Sequence, residues 1–409
     1  MKPAKSTSLW LLTLAVGCGR SGLEVQASVS EMSSRGDGID GGPQEGPTED
    51  RSKPVAIAAG GFHTCALFSD GTVECWGLND SGQLGDSTMT TSPVPVAVAG
   101  LKDAVAIAAG YDNTCALRAG GTVECWGTNQ FGELGDGTAR DRSVPGPVTG
   151  VTDAKTIAGA FNHACALIGD GTMRCWGDGR SGELGDGMLA GSPTPVAVTG
   201  LSGATSLTQG STAEQTCALL EGGRAACWGV NVFGDLGSGS AAEDSATPMV
   251  VSNLSGATQL ASGNEHVCAL LAGGTASCWG NDEWGQLGDG VSGEENDVST
   301  PVPVTGLTGA TQLSAGLLHT CALLGSGGVV CWGLDVSGQL GHGTSGHAND
   351  TSSPVDVKGI TGATAISAGA YYGCALLDGG SVECWGDNQY GQLGDGTMND
   401  SSIPVRVSF

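Results

Sequence analysis

The sequence predicts an all-β fold, a seven-bladed β-propeller whose blades are four-stranded and antiparallel. The stretch "HTCALFSDGTVECWG" (63–77) recurs in seven related copies, which start 50, 50, 52, 51, 53 and 53 residues apart. Glycine accounts for 72 of the 409 residues, and no long apolar stripe has the helical period. A repeat of about 50 residues is typical of stacked supersecondary units, and seven β units of one kind are typical of a propeller.

Each copy contains an antiparallel hairpin. In the first copy the alternating runs "TCALF" and "TVECW" flank Asp70 and Gly71, and the glycine supplies the positive φ of the turn. Cys65 and Cys75 lie symmetrically about residue 70, so they face each other within reach of a disulfide. The same spacing is kept in all seven copies, which pair Cys65 with Cys75, Cys115 with Cys125, Cys165 with Cys175, Cys217 with Cys227, Cys268 with Cys278, Cys321 with Cys331 and Cys374 with Cys384.

The first unit divides into four short strands, predicted at 55–60, 63–68, 72–77 and 93–98. Because the repeated region opens on an inner strand, the last run, "PVRV" (404–407), has no following blade. We expect this C-terminal strand to pair with the first blade and so close the ring, which would remove both exposed sheet edges.

The chain is strongly acidic. It carries 16 basic and 42 acidic side chains, and residues 51–409 alone carry 12 and 35, a net charge of −23. Such a surface repels phosphate backbones and anionic lipids, which argues against nucleic acid as a partner. Longer, partly acidic connections at 238–247, 289–300 and 342–353 follow the third strand of their units and favour a basic partner.

Residues 1–18 are predicted to be an export signal. Lys2 and Lys5 precede the mostly apolar run "LWLLTLAV" (9–16), which is too short to span a bilayer. Cys18 stands where bacterial lipoprotein signals place the cysteine that is lipidated after cleavage. Ordinary secretory cleavage after "AVG" also fits the small-x-small pattern, so lipidation, simple secretion and no export stay open as alternatives.

Residues 19–50 are rich in glycine, serine and acidic side chains, which predicts a flexible tether ahead of the propeller at 51–409. Export places the paired cysteines in an oxidising compartment, where we expect disulfides; reduced apolar pairs and zinc sites are the alternatives. The expected location is the outer membrane or cell surface, as a lipoprotein, with periplasmic and secreted forms as the alternatives.

The run "AGGFHTCALFSDGTVECWGLNDSGQLGD" (59–86) resembles the regulator-of-chromosome-condensation repeat, whose hallmarks are A-G-x-x-H, A-L-x-x-x-G, W-G and G-Q-L-G. The resemblance covers residues 54–409 and implies a seven-bladed propeller. Members include a nucleotide exchange factor for a nuclear GTPase and the secreted β-lactamase-inhibitor protein II, a binding module. This chain differs from the exchange factor in its predicted export signal, its acidity and its cysteine pairs. In the compartment it is expected to occupy, it is more similar to the secreted inhibitor.

Residues that recur once per unit are expected to be structural. Four units share a histidine at the start of the second strand, His63, His163, His266 and His319, and other residue types replace it in the remaining units. A catalytic or metal-binding histidine would not be replicated in this way. The repeated tryptophans are predicted to fill the contacts between blades, at Trp76, Trp126, Trp176, Trp228, Trp279, Trp332 and Trp385.

An enzyme is not expected. The sequence has no G-x-S-x-G motif, no H-E-x-x-H motif and no unique carboxylate pair, and nothing in it calls for a metal or another cofactor. Calcium in the G-D-G and G-D-S turns that follow G-Q-L, as at Asp395 and Asp86, stays open as an alternative to simple turn capping.

The aromatic residues that vary between blades are the predicted partner-binding residues. They follow the first or the third strand of their units, and in an up-down-up-down blade these two connections emerge on the same face. Tyr and Trp on rigid loops are typical of protein interfaces, although the same rings could be local loop anchors. The set is Phe62, Tyr111, Phe131, Phe161, Phe233, Trp284, Tyr371, Tyr372 and Tyr390, of which Trp284 is the favoured single anchor.

The sequence therefore predicts an exported, lipid-anchored, non-enzymatic propeller, expected to be a monomer, that binds a protein or envelope partner through one aromatic-rich face. Three alternatives remain: a carbohydrate-binding or hydrolytic propeller, a purely structural surface protein, and a guanine-nucleotide-exchange-factor-like protein.

Overall fold

The computed structural model describes residues 52–208, 210–241 and 243–409. The predictions for the export signal, for lipidation at Cys18 and for the tether at 19–50 lie outside these residues. Within the described residues no helix is long and apolar enough to cross a membrane.

The described residues form the predicted seven four-stranded antiparallel sheets. The first strands of the blades are β1 (Pro54–Ala59), β5 (Ala104–Ala109), β9 (Ala154–Gly159), β13 (Ala204–Leu207), β17 (Ala257–Ser262), β21 (Ala310–Ala315) and β25 (Ala363–Ala368). The second strands are β2 (His63–Phe68), β6 (Asn113–Arg118), β10 (His163–Ile168), β14 (Gln215–Leu220), β18 (His266–Leu271), β22 (His319–Leu324) and β26 (Tyr372–Leu377).

The third strands are β3 (Val73–Gly77), β7 (Val123–Gly127), β11 (Met173–Gly177), β15 (Arg224–Gly229), β19 (Ala276–Gly280), β23 (Val329–Gly333) and β27 (Val382–Gly386). The fourth strands are β4 (Ser92–Ala97), β8 (Arg142–Pro147), β12 (Ser192–Ala197), β16 (Ser245–Val250), β20 (Val298–Pro303), β24 (Thr351–Asp356) and β28 (Ser401–Arg406). Single turns of 3-10 helix at Glu294–Asn296 and His347–Asn349 lie in the connections that precede β20 and β24.

The predicted closure by the C-terminal strand is wrong. Each blade consists of four consecutive strands, and β28 pairs with β27 of its own blade rather than with the first blade. Blade 7 instead meets blade 1 through side chains and loop backbone. The Tyr372 hydroxyl donates to the carbonyl oxygen of His63 (2.5 Å), Phe409 packs edge-on against Trp76 at 5.7 Å between ring centroids, and the N–H of Gly396 donates to the carbonyl oxygen of Pro93 (3.0 Å).

The hairpin between the second and third strands has the predicted register. In blade 1, Cys65 lies opposite Cys75, and the turn between them places Gly71 at a φ of 80°. Glycine adopts this backbone conformation without the steric cost that a Cβ atom would bring. The two thiols are therefore brought together by the turn that the sequence predicted.

All seven cysteine pairs are joined as disulfides within their hairpins, as the spacing predicted. The Cα atoms of each pair lie 4.0–4.1 Å apart, and the sulfurs are buried in the contacts between blades. The alternatives of reduced pairs and zinc sites have no counterpart in this geometry. The bridges join Cys65 to Cys75, Cys115 to Cys125, Cys165 to Cys175, Cys217 to Cys227, Cys268 to Cys278, Cys321 to Cys331 and Cys374 to Cys384.

The repeated tryptophans are the centre of those contacts, as predicted. Every one of the seven rings is fully buried. The indole N–H of Trp126 donates to the backbone carbonyl oxygen of Gln83 in the preceding blade (2.9 Å), and Trp76 makes the same bond to Gln392 across the closure (2.9 Å). The other five tryptophans repeat this bond at 2.8–2.9 Å.

The repeated histidines are also structural. Nε2 of His63 lies 2.8 Å from the hydroxyl oxygen of Thr114 in the next blade, and His163 and His266 repeat this contact to the following threonine. Burial lowers the pKa of His63 to about 3, so the neutral ring is the form that packs between blades.

A first prediction concerns the disulfides. If all seven bridges form within hairpins, thiol titration of the denatured, unreduced protein will find essentially no free repeat cysteine. Replacing Cys65 and Cys75 together with alanine should lower the free energy of unfolding by about 2–3 kcal/mol at most, because each bridge closes a short loop. Several reactive thiols per chain would contradict the pairing.

Candidate binding face

The connections between the first and second strands and between the third and fourth strands share one face, as predicted. The backbone N–H of Leu78, after the third strand of blade 1, donates to the carbonyl oxygen of Phe62 (2.9 Å). The hairpin turns lie at the other face, where the N–H of Ala104 donates to Gly71 (3.1 Å). We call the first of these surfaces the aromatic face.

Four variable aromatic rings form a continuous row on the aromatic face. Tyr390 of blade 7 contacts Phe62 of blade 1 at 5.3 Å between ring centroids, Phe62 contacts Tyr111 of blade 2 at 5.6 Å, and Tyr111 contacts Phe161 of blade 3 at 4.6 Å. Each ring is partly exposed. These four residues, the aromatic row, bring together side chains more than 300 positions apart in sequence.

Tyr371 and Phe131 lie beside this row. The backbone carbonyl of Tyr371 accepts the N–H of Asp387 (2.9 Å), and burial raises the pKa of its hydroxyl. Phe131, which is 37% exposed, carries the guanidinium of Arg180 over its face at 4.5 Å. Arg180 and Phe161 line one open cavity, so the row continues into blade 3.

Two of the predicted aromatics lie elsewhere on this face. Trp284 of blade 5 stacks against His347 of blade 6, with ring centroids 4.9 Å apart and an interplanar angle of 31°. Phe233 of blade 4 is partly exposed, and its N–H donates to Asp235 (3.2 Å). Trp284 is thus held by a local neighbour rather than joined to the row.

The prediction that Tyr372 contacts a partner is wrong. The side chain is fully buried, and its hydroxyl lies between Thr64 and the carbonyl oxygen of His63. Tyr372 occupies the first position of the second strand, where other blades have histidine, so it points between blades while its neighbour Tyr371 stays at the face.

Sequence reasoning overlooked how unevenly the charge is distributed. The connections that form the aromatic face hold 25 acidic and two basic residues, whereas the rest of residues 51–409 holds 10 of each. The net charge of −23 therefore resides entirely in these connections, and the strands and the opposite face are neutral on balance. Counting charged residues separately in the predicted strands and in the predicted connections would have revealed this uneven distribution from the sequence.

The leucine of the G-Q-L-G motif recurs once in every blade, and we call the residue directly before it the pre-leucine position. In three of the seven blades this position holds a buried acidic side chain. Blades 2, 3 and 4 have Glu133, Glu183 and Asp235 there, at 1%, 8% and 0% exposure. The other four blades have glutamine: Gln83, Gln286, Gln339 and Gln392. In every blade this side chain accepts the backbone N–H two residues earlier, at 2.8–3.2 Å.

Burial raises the pKa of many carboxyls on this face. It raises that of Glu183 to about 7, with a further contribution from the nearby charge of Asp178. It raises the pKa of Asp235 well above its usual range, to which Glu265 and Glu214 add as like charges. The same cause brings the pKa of four further carboxyls to about 7, namely Asp112, Glu265, Asp282 and Asp335. Glu183 and these four carboxyls therefore change charge near neutral pH.

The face offers no metal centre among the described residues, since no three His, Cys, Asp or Glu side chains there are placed to hold an ion. The G-D-S and G-D-G turns are capped internally: Asp86 accepts the N–H and hydroxyl of Thr88 at 2.9 and 2.8 Å, and Asp395 accepts those of Thr397, both at 2.9 Å. What the arrangement supplies is an apolar, aromatic strip next to a strongly negative surface.

The chain has relatives of known family. Residues 13–364 match the family model of the RCC1-like domain, and residues 363–392 and 379–409 each match the regulator of chromosome condensation (RCC1) repeat. The ultraviolet-B receptor UVR8 of Arabidopsis thaliana is 33% identical over 203 residues, which cover 48% of this chain and 44% of the receptor. The E3 ubiquitin-protein ligase HERC2 of Homo sapiens is 33% identical over 189 residues, 44% of this chain and 4% of the ligase. The matched segment spans less than half of each of these relatives.

Two solved structures share the fold at low identity. The structure of Kap60 bound to yeast RCC1 (Prp20) matches with a TM-score of 0.72 and 20% identity, over 94% of this chain and 91% of that one. Human WBSCR16 matches with a TM-score of 0.71 and 23% identity, over 82% of this chain and 94% of that one. At such identities the likeness concerns the fold.

A second prediction concerns pH. Carboxyls whose pKa is raised to about 7 in the folded state bind protons at a higher pH than they do in the unfolded chain, so their contribution to the free energy of unfolding should rise as pH falls from about 8 to about 4.5. The buried histidines have lowered pKa values, so their contribution is lost as pH falls below about 6.5 towards about 3. Thermal unfolding should therefore show the highest Tm at mildly acidic pH.

The variant Glu183→Gln tests the cause of this profile. It restores the glutamine of four other blades, so the Tm should rise at about pH 8 and change less at about pH 5, where Glu183 is already protonated. A Tm lowered equally at both pH values would show that the buried carboxyl is not the source of the pH dependence.

Proposed function

Because the chain belongs to the RCC1-like domain family, we propose that it is an exported, lipid-anchored, non-enzymatic propeller that binds a protein or cell-envelope partner through the aromatic face. The observation that carries the proposal is the aromatic row: four partly exposed rings from four successive blades in mutual contact. Tyr and Phe held rigidly at a surface bury large areas at little conformational cost, which is why aromatic rings dominate protein interfaces.

The scaffold supports this role. Each connection of the row has one end at a disulfide-linked hairpin whose tryptophan is buried, so the geometry of the row is set before a partner arrives. The excess of acidic residues on the same face favours a partner with a basic surface. Nucleic acid carries the wrong charge for such a face.

Export and lipid attachment rest on the N-terminal sequence. Seven disulfides within 359 residues are typical of a protein that folds outside the reducing cytosol. Guanine-nucleotide exchange and carbohydrate binding or hydrolysis remain the alternative functions. No feature described for the aromatic face specifically favours either of them.

A capture experiment tests the binding role. Residues 51–409, immobilised as bait, should retain a partner from an envelope extract, and Tyr390→Ala should weaken that binding about thirtyfold, equivalent to about 2 kcal/mol for one large aromatic contact. The Tm should hardly change, because Tyr390 is partly exposed. Retention of glycans in place of protein would support the carbohydrate alternative instead.

Two variants serve as controls for this experiment. Tyr372→Ala removes a fully buried ring, so it should lower the Tm through a cavity that costs about 3–5 kcal/mol. Val105→Ala alters a side chain that is 54% exposed near the opposite face, and it should leave both Tm and capture unchanged. Equal capture by Tyr390→Ala and the native protein would contradict a role for the aromatic row.

Lipid attachment is tested separately. Cys18→Ser should move the protein from the membrane fraction to the soluble exported fraction, because it removes the thiol that would carry the lipid. A native mature N-terminus without lipid, found by mass spectrometry, would establish ordinary secretion instead.

A further inference from the structure

The acidic residues at the pre-leucine position stabilise the fold less well than the glutamine they replace. In blades 5 and 7 the glutamine amide also donates, from Gln286 to Asn281 (2.6 Å) and from Gln392 to Asp387 (3.0 Å). An ionised carboxylate cannot donate, and in blade 4 the Oδ1 atom of fully buried Asp235 has no hydrogen-bond partner. Burying such groups costs free energy that the glutamines of blades 5 and 7 avoid.

Two of these acids belong to one band of carboxyls across blades 3 to 5. Glu183 and Asp235 alternate along the ring with Glu214 and Glu265, which precede the second strands of blades 4 and 5. Glu214 acts as a like charge on both Glu183 and Asp235, so the groups are electrostatic neighbours. In the described part of the chain, the salt bridges of lysine and arginine involve none of these four carboxyls.

A cavity of about 340 Å³ opens into this band between blades 3 and 4. Glu183 and Glu214 line it together with Phe161, the last ring of the aromatic row. The cation at its edge, Arg180, is already engaged: its Nε lies 2.9 and 3.1 Å from the two carboxylate oxygens of Asp178, and its guanidinium stacks on Phe131. Arg180 forms its ion pair with Asp178 and acts on Glu183 only as a nearby charge, so among the described residues neither Glu183 nor Glu214 has a salt-bridge partner.

We propose that this cavity receives a lysine or arginine side chain of the partner protein, with its cationic head between Glu183 and Glu214 and its alkyl stem against Phe161. The inference rests on the proposed function and specifies the partner: a protein segment that presents a basic residue beside apolar ones. Charge complementarity carries it, because a cation would satisfy the carboxyls that the fold leaves without a counter-ion, and Asp235 would add to the field from the next blade.

The test uses the full-length protein and a short fluorescein-labelled peptide of lysine, leucine and glycine, which presents basic residues beside apolar ones, followed by fluorescence anisotropy at physiological salt. Glu183→Gln and Glu214→Gln should each weaken peptide binding about tenfold or more, since each removes half of the carboxyl pair. Glu294→Gln is the matched control: it makes the same charge change on the same face, at an exposed position remote from the cavity, and should change binding less than about twofold.

Stability and binding should move in opposite directions in Glu183→Gln, with a higher Tm at about pH 8 and weaker peptide binding, which a purely structural residue would not show. Equal losses in all three variants, or no peptide binding by the native protein, would overturn the proposal. If the partner captured from envelope extract is lost by Tyr390→Ala but kept by Glu183→Gln, the cavity proposal fails and the proposed function stands. If Tyr390→Ala keeps the partner as well as the native protein does, the proposed binding through the aromatic row fails instead.

Discussion

The bond from a tryptophan indole N–H to the backbone carbonyl of the preceding blade is the interaction on which the rest of this propeller depends. It occurs at all seven boundaries, including the one between the last and first blades, and it is buried, where a lost hydrogen bond is costly. In several blades a threonine hydroxyl donates to the same carbonyl, as Thr114 does to Gln83 (3.0 Å). One backbone oxygen thus sets the position of each blade relative to the next.

This carbonyl belongs to the residue at the pre-leucine position, so one residue serves both the fold and the face. Its backbone is fixed by the tryptophan, whereas its side chain needs only an oxygen that accepts the N–H two residues earlier. Glutamine, glutamate and aspartate all meet that requirement. The chemistry of the face can therefore vary from blade to blade without disturbing the contact between blades, which explains how three buried acids are tolerated in a regular repeat.

Local patterns in the sequence were sufficient for the units, the strands, the cysteine register and the buried tryptophans, because each of these depends on spacing within about 50 residues. The contacts between blades were not predictable in this way. Tyr371 and Tyr372 are adjacent and chemically identical, yet one lies at the face and the other is buried, since the second strand begins between them. Trp284 looked free in the sequence but stacks on a histidine 63 positions later. The expectation about ring closure was wrong because the C-terminal strand has the same sequence pattern whether it pairs with the first blade or completes its own blade.

Since every sheet is built from four consecutive strands, no strand is exchanged between the two ends of the repeat. No peptide bond links blade 7 directly to blade 1, yet this boundary is packed like the other six. Trp76 is buried there, and its indole N–H donates to the backbone carbonyl oxygen of Gln392. All seven boundaries are therefore equivalent places for a chain break. A circular permutant that joined Phe409 to Ser52 and began at any other blade would keep all seven sheets and all seven disulfides intact, and the order of the blades around the axis would be independent of where translation starts.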